Sequence, residues 1–272
     1  MKTAVLLATC LLAAPCSHAE NKLFPTDILE KGQVDISASA QYENYSYGLN
    51  FSGAKGNESS TFTDEKIEIR YGLGANWYIK ASTSYTSRGD IKTKWKTGEQ
   101  VINNDYEGKN NPYFSATYGI INDTQNPFSL SISASVSPKT TDTPSSYLAT
   151  LSGGWKKSET LKLYSTITTT IFNDRDHADK VNLRVGAFQE VSSNVTIKPY
   201  VEYGWYNSTS WGGSSSYYII GIGSQFQMQK NTYLTAAIAN YGVSSLTLKD
   251  APLRVDSTNN GLMLSFGLYH LF

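Results

Sequence analysis

Between Phe128 and Ser137 the chain reads FSLSISASVS, and no other stretch limits the fold so sharply. Successive side chains of an extended strand point to opposite faces, so Phe128, Leu130, Ile132, Ala134 and Val136 fall on one side and Ser129, Ser131, Ser133, Ser135 and Ser137 on the other. A helix would scatter the serines around its circumference. The segment is therefore a strand between an apolar medium and a polar one. Val34, Ile36, Ala38 and Ala40 against Asp35, Ser37, Ser39 and Gln41 repeat the pattern, as do Ile67, Ile69, Tyr71 and Leu73 against Glu68, Arg70 and Gly72. The same period predicts strands near 77–88, 112–121, 146–155, 160–172, 180–189, 195–206, 216–228, 232–242 and 258–272. With 34–42, 67–73 and 128–137 these make about twelve.

The connections alternate in length. Short turns are predicted at 74–76, 122–126, 156–159, 190–194 and 229–231, and longer loops around 48–60, 89–111, 138–145, 173–179, 207–215 and 243–257. An up-and-down barrel with short turns on one side of a membrane and long loops on the other produces this asymmetry. Downstream of residue 19 no run of about 18 apolar residues exists, so no helix there can span a bilayer, whereas a membrane strand needs only about 9 to 11 residues with alternate ones apolar. Trp77, Tyr85, Tyr147, Trp155, Tyr203, Trp205, Tyr218 and Phe226 lie toward strand ends, where aromatic girdles form. A secreted β-sandwich would alternate too, but its polar face would meet bulk water and need not be so rich in Gly and Ser. The predicted fold is all-β, a single antiparallel up-and-down transmembrane β-barrel of about 12 strands with both termini periplasmic.

Residues 1–19 read as a cleaved signal peptide, with Lys2 as the charged region, an apolar stretch from Ala4 to Ala14, and small residues at Ser17 and Ala19 before the cut. A lipid-anchored reading of Cys16 conflicts with Pro15, which stands where a small residue is expected. Residues 20–32 form a periplasmic N-terminal segment and 33–272 the barrel. Both cysteines, Cys10 and Cys16, leave with the leader, which excludes disulfides and thiolate metal sites. Basic and acidic residues number 23 each, and losing Lys2 leaves a single net negative charge, unlike the basic face of a nucleic-acid binder.

The last strand places Leu262, Leu264, Phe266, Leu268, His270 and Phe272 on one face and stops on the aromatic. It resembles the recognition signal of outer-membrane barrels, with Phe266, Leu268, His270 and Phe272 as the assembly residues. That resemblance implies a barrel-assembly machinery and outer-membrane lipids as partners. Two further stretches, Pro25-Thr26-Asp27-Ile28-Leu29-Glu30-Lys31-Gly32-Gln33 and the run from Ile67 to Lys80 containing Arg70-Tyr71-Gly72-Leu73, resemble outer-membrane transporters grouped with the meta-pathway of phenol degradation. The resemblance implies passage of small, often hydrophobic compounds, and no binding residues come with it. Gly74-Ala75-Asn76 departs from the family's Asp-Arg turn.

Catalytic, metal and cofactor sites are not expected. Beyond the leader only His177 and His270 remain, and the His-x-Ser-Asn-Gly setting of outer-membrane phospholipases is missing. Asp174, Asp176 and Asp179 could offer oxygens to Ca²⁺, but their spacing fits solvated turns better, and Gly212 to Ser216 is flexible-loop composition. Strand parity directs Lys66, Glu68, Arg70, Lys80, Arg88, Lys162, Arg184, Lys198 and Glu202 to the lumen, with Asp35, Glu43, Asp64, Lys180 and Glu190. Lys66, Arg70 and Lys80 would form one basic patch near the periplasmic mouth. Two functions fit this mixed lining: an outer-membrane channel for passive passage of small solutes, hydrophobic or aromatic compounds among them, or a plugged structural barrel acting through its external loops. Arginine at outward Ile132 or Leu264 should destabilise the protein by about 2 to 4 kcal/mol near the bilayer midplane, and Ser133→Arg by less. Unfolding titrations of the three variants in bilayers check the ordering.

Overall fold

The computed structural model describes residues 23–96, 98–102, 112–122, 126–140, 144–210, 212–247, 253–256 and 258–272; the leader expected over 1–19 lies outside them. Among the described residues sixteen strands form one antiparallel sheet: β1 (Val34–Phe51), β2 (Ala54–Gly74), β3 (Trp77–Arg88), β4 (Ile91–Trp95), β5 (Gly98–Ile102), β6 (Tyr113–Ile121), β7 (Phe128–Ser137), β8 (Ser146–Lys156), β9 (Leu161–Phe172), β10 (Lys180–Ser192), β11 (Val195–Tyr206), β12 (Ser215–Gln229), β13 (Thr232–Val243), β14 (Leu246–Thr247), β15 (Leu253–Val255) and β16 (Thr258–Leu271). The sheet closes because β1 pairs with β2 from Val34↔Tyr71 to Phe51↔Ala54 and, on its other edge, with β16 from Asp35↔Leu271 to Asn44↔Leu262. Setting aside the short β4, β5, β14 and β15 leaves a closed barrel of twelve strands, as the alternation predicts.

The four short strands come from segments expected to be loops. β4 pairs Lys92–Trp95 with Gly56–Ser59 of β2 and carries β5 on its other edge, while β15 pairs with Leu49–Phe51 of β1 and carries β14. The described part of the 89–111 loop thus extends the wall beyond the barrel rim; residues 103–111 lie outside the described residues. The 48–60 loop is a second correction. β1 and β2 continue through it to a two-residue turn at Ser52 (φ 49°) and Gly53 (φ 88°), closed by Asn50 Oδ1 accepting Gly53 N–H at 3.1 Å. Positive φ at both central residues matches the twist of paired strands, and a Ser-Gly pair in a polar stretch gives only a faint signal of it.

The two faces of the wall differ as the sequence period requires. Ile67, Ile69, Ile79, Ile132, Leu151, Ile167, Val201, Ile222 and Ile238 point outward and are exposed, with Phe266 at 64 %. A continuous apolar exterior on a closed sheet is stable only against hydrocarbon, where every backbone group is already paired. Aromatic pairs mark its edges. Trp77 packs on Tyr118 and Phe128 stacks on Trp155 at the short-turn end, while Tyr203 meets Trp205 at the long-loop end. Ser129, Ser131 and Ser137 of β7 point inward and are buried.

A closed barrel offers detergent no edge strand at which to begin unfolding. The protein should therefore migrate as a compact species on gels when unboiled and more slowly after boiling; equal mobility in both conditions would contradict closure.

Candidate functional site

The inward-facing charges are arranged as compensated groups. Arg70 and Asp35 are direct cross-strand partners, and Arg70 grips the carboxylate with Nε to Oδ1 at 2.9 Å and Nη2 to Oδ2 at 2.5 Å. Tyr269 O–H donates to the same Oδ2 at 3.0 Å, and the Arg70 guanidinium lies 5.4 Å from the centre of the Tyr78 ring. Lys80 stands opposite Arg70 across β2 and β3, a like-charge pairing that would repel. Glu68 resolves it by holding Lys66 at 2.9 Å and Lys80 at 3.3 Å. The basic patch expected from Lys66, Arg70 and Lys80 is therefore largely neutralised by Glu68 and Asp35. Inside a barrel of low effective dielectric, an uncompensated cluster of three cations would be costly.

A second group sits on β10, β11 and β12. Arg184 binds Glu202 through Nε at 2.7 Å and Nη2 at 2.6 Å, Tyr217 O–H donates to the other carboxylate oxygen at 2.6 Å, and Arg184 lies over Tyr200 at 4.9 Å. Lys180 approaches the Tyr217 and Tyr206 rings at 5.8 and 6.0 Å. Across the barrel, Arg88 donates to Tyr45 O–H and lies 5.0 Å from the Phe62 ring. Asp64 accepts from Thr86 at 2.7 Å and Glu43 from Gln41 at 2.5 Å. Lys162 and Lys198 lie over aromatic rings, at 5.5 Å from Phe24 and 5.4 Å from Phe188. Glu190 departs from the expected set: it is exposed where β10 ends in a bulge at the short turn.

Phe24 belongs to the segment read from the sequence as periplasmic and preceding the barrel strands. Residues 23–33 run through the interior at the short-turn end, because Phe24, Ile28 and Leu29 find apolar cover there that water would deny them. Leu29, 1 % exposed, packs with Tyr78, Tyr233, Tyr269 and Leu271, all inward residues of the wall. Thr26 Oγ1 and Ser129 Oγ are 2.6 Å apart and buried, and Ser131 Oγ donates to the Pro25 carbonyl at 3.5 Å. Gly72 donates to the Gln33 carbonyl and accepts from Gly32 N–H, each at 2.9 Å. A tight turn, with Asp27 N–H on the Phe24 carbonyl at 2.9 Å and Phe24 N–H on Asp27 Oδ2 at 2.8 Å, aims the ring of Phe24 at the wall.

Glycines in the wall make room for this segment. A Cβ at Gly72 would stand 1.9 Å from the Glu30 carbonyl oxygen, one at Gly119 would meet Ile28 at 2.7 Å, and one at Gly154 would meet Phe24 at 2.5 Å. From β2 past β6 and β8 to β9 and β10, the segment follows a chord across the barrel. Sequence reasoning missed Phe24, Thr26 and Leu29 as functional residues. The signal that could have found them was the apolar content of the stretch ahead of the first strand, Leu23, Phe24, Ile28 and Leu29.

No family model matches the chain, and no curated protein matches it in sequence. Solved structures do match. An outer membrane channel from Pseudomonas putida F1 superposes with a TM-score of 0.59 at 8% identity, covering 93% of this chain and 100% of that one. The KdgM porin gives 0.53 at 11% identity, over 86% of this chain and 98% of its own, and the NanC porin 0.51 at 8% identity, over 87% and 98%. The fold is that of porin-like outer-membrane barrels. At such identities the likeness concerns the path of the backbone alone.

The residues of the expected assembly signal end the wall at its seam. Phe266 points outward, Leu268 is half-buried, and Phe272 N–H donates to the Val34 carbonyl at 2.8 Å. His270, expected to meet lipid, is buried: its Nδ1 lies 2.7 Å from Thr232 Oγ1 and its ring 4.3 Å from that of Phe272. In the long loop, Asp174 Oδ1 accepts from Asp176 N–H at 2.7 Å and Asp179 Oδ1 from Phe172 N–H at 2.8 Å, so these carboxylates stabilise turns.

Gly72→Ala should expel the N-terminal segment, because backbone cannot yield to a Cβ as a flexible side chain can. Gly153→Ala, whose Cβ would meet only Ser165 Oγ at 3.6 Å, should not. Limited proteolysis of the folded barrel distinguishes them: cleavage after Lys31 should accelerate in the first variant and stay slow in the second.

Proposed function

We propose that the protein is a passive outer-membrane channel for small solutes, with hydrophobic or aromatic compounds as the favoured class. The observation that carries this reading is a closed barrel, apolar outside, whose polar and aromatic interior is narrowed at one end by a single thin segment of its own chain. A barrel serving only as a surface scaffold would not need interior glycines fitted to a chain crossing it. The aromatic lining and the resemblance of 25–33 and 67–80 to transporters of the phenol meta-pathway support the solute class. Solved structures of this fold named as channels and porins support transport rather than catalysis.

In this reading the short-turn end and the N-terminal segment face the periplasm, outer-membrane lipids cover the apolar band, and the leader and barrel-assembly machinery deliver the chain. Balanced inner charges give weak discrimination between small cations and anions. Planar-bilayer recordings test the proposal. The mature protein should give small, reproducible conductance steps, and deletion of 20–31 should enlarge them severalfold. Replacing Lys66, Arg70 and Lys80 together by Gln should move the reversal potential toward cations, since Glu68 and Asp35 then stand uncompensated beside the mouth. No steps from either the complete or the shortened barrel would overturn the channel reading.

A further inference from the structure

Phe24 does more than fill space at the end of the plug. Its ring meets Phe188 edge to face at 5.1 Å and 77°, and Tyr164 at 5.9 Å and 83°; Tyr164 and Phe188 meet each other at 5.7 Å and 73°. Three mutually perpendicular rings are the arrangement that aromatic quadrupoles favour. Two of them, with Lys162 and Lys198, belong to β9, β10 and β11, and Lys162 is the direct cross-strand partner of Phe188. Only the third ring comes from the N-terminal segment and not from the wall. Without Phe24, the wall would keep an aromatic corner floored by Gly154, with two ammonium groups beside it.

Those ammoniums carry the second half of the inference. Lys162 Nζ lies 5.5 Å from the Phe24 ring and Lys198 Nζ 5.4 Å from the Phe188 ring. Elsewhere in the lumen cations share their space with carboxylates: Lys66 and Lys80 with Glu68, Arg70 with Asp35, Arg184 with Glu202. Among the described residues no carboxylate pairs with Lys198. A cation inside the barrel that is met only by a ring face lacks the acceptor that would compensate it best. An aromatic ring beside an unmatched positive charge calls for a ligand with both complements.

We propose that Tyr164, Phe188, Lys162, Lys198 and Gly154 form a binding site for an aromatic ring bearing a carboxylate, in which Phe24 sits as an internal competitor. The incoming ring takes the place of the Phe24 ring, its carboxylate meets the lysines, and the turn from Phe24 to Asp27 is displaced. Ligand and plug therefore exclude one another, so occupation of this site loosens the segment that narrows the barrel. The inference deepens the channel reading and rests on it for its physiological sense, although the site itself can be tested without transport.

The probe is benzoate, titrated calorimetrically into the detergent-solubilised mature barrel, with cyclohexanecarboxylate and benzyl alcohol as partners lacking the aromatic ring or the charge. Phe24→Ala should bind benzoate about tenfold more tightly than the unaltered protein, and Lys198→Gln in that background should lose most of the gain while leaving benzyl alcohol unaffected. Cyclohexanecarboxylate should bind more weakly than benzoate. Equal affinity with and without Phe24, indifference to Lys198, or equal affinity for the two acids would each overturn the site. Heat-modifiable migration certifies each variant, and if Phe24→Ala fails it, Phe24→Leu, which keeps apolar bulk but not the ring, is judged by the same outcomes. A barrel that conducts yet shows none of these differences loses the site and keeps the channel; one that shows them yet never conducts does the reverse.

Discussion

The structure depends on one strand being bonded along both edges. β1 pairs with β2 and with β16, and this double pairing removes the open edge that hydrocarbon would penalise by several kcal/mol for each unpaired backbone group. Closure also fixes parity around the whole ring, since a slip of one residue anywhere would turn a strand's apolar set inward. The apolar exterior and the hydroxyl-, charge- and tyrosine-rich interior are two consequences of that single constraint. Of the five register shifts among the described residues, those at Gly72/Gly74, Gly119/Ile121, Glu190/Ser192 and Gln227/Gln229 lie beside short turns, and the one at Tyr241/Val243 lies at the long-loop end.

Having closed, the barrel must satisfy what it has enclosed. Hydroxyls pair across neighbouring strands, as Ser115 does with Ser135 at 2.7 Å and Thr117 with Ser133 at 3.1 Å, and charges pair as Arg70 with Asp35 and Arg184 with Glu202. Breaking one partner of such an enclosed ion pair typically costs about 3 to 5 kcal/mol, because the other is left without compensation. At the short-turn end the chain supplies the filling itself. Leu29 enters among Tyr78, Tyr233, Tyr269 and Leu271, and small wall residues let the segment's backbone come close.

This economy of filling bears on function. A whole folded domain in the lumen would be costly to displace, whereas a chord of about ten residues is held by only a few hydrogen bonds, one apolar cluster and one aromatic box. The contacts are unequal along its length. Its two backbone hydrogen bonds to Gly72 anchor the end that leads into β1, while Phe24 depends on side-chain contacts and the turn back to Asp27. The end without hydrogen bonds to the wall's backbone is the one that borders the aromatic and lysine side chains of β9 to β11.

Period-two alternation made the barrel legible from sequence, because facing in or out of a sheet is a local property of each strand: the serine face of β7 and the apolar face of β16 needed no partner to be recognised. The short and long connections gave the up-and-down order for the same reason. Parity likewise put Lys66, Arg70 and Lys80 on the inner face. It could not show that Glu68 and Asp35 neutralise them, since that depends on which strands become neighbours and in what register. The extension of β1 and β2 through 48–60 was hidden because its polar residues look like loop until a two-residue turn and flanking strands supply pairing. The path of 23–33 through the interior was least legible of all. Phe24 and Leu29 carry no periodic signal in so short a stretch, and their partners, Tyr164, Phe188, Tyr233 and Tyr269, lie more than a hundred residues away in the chain. Sequence by itself determined the wall, because a wall is built from the local chemistry of each strand. What fills it was decided only by tertiary structure, because the interior exists only once the ring has closed.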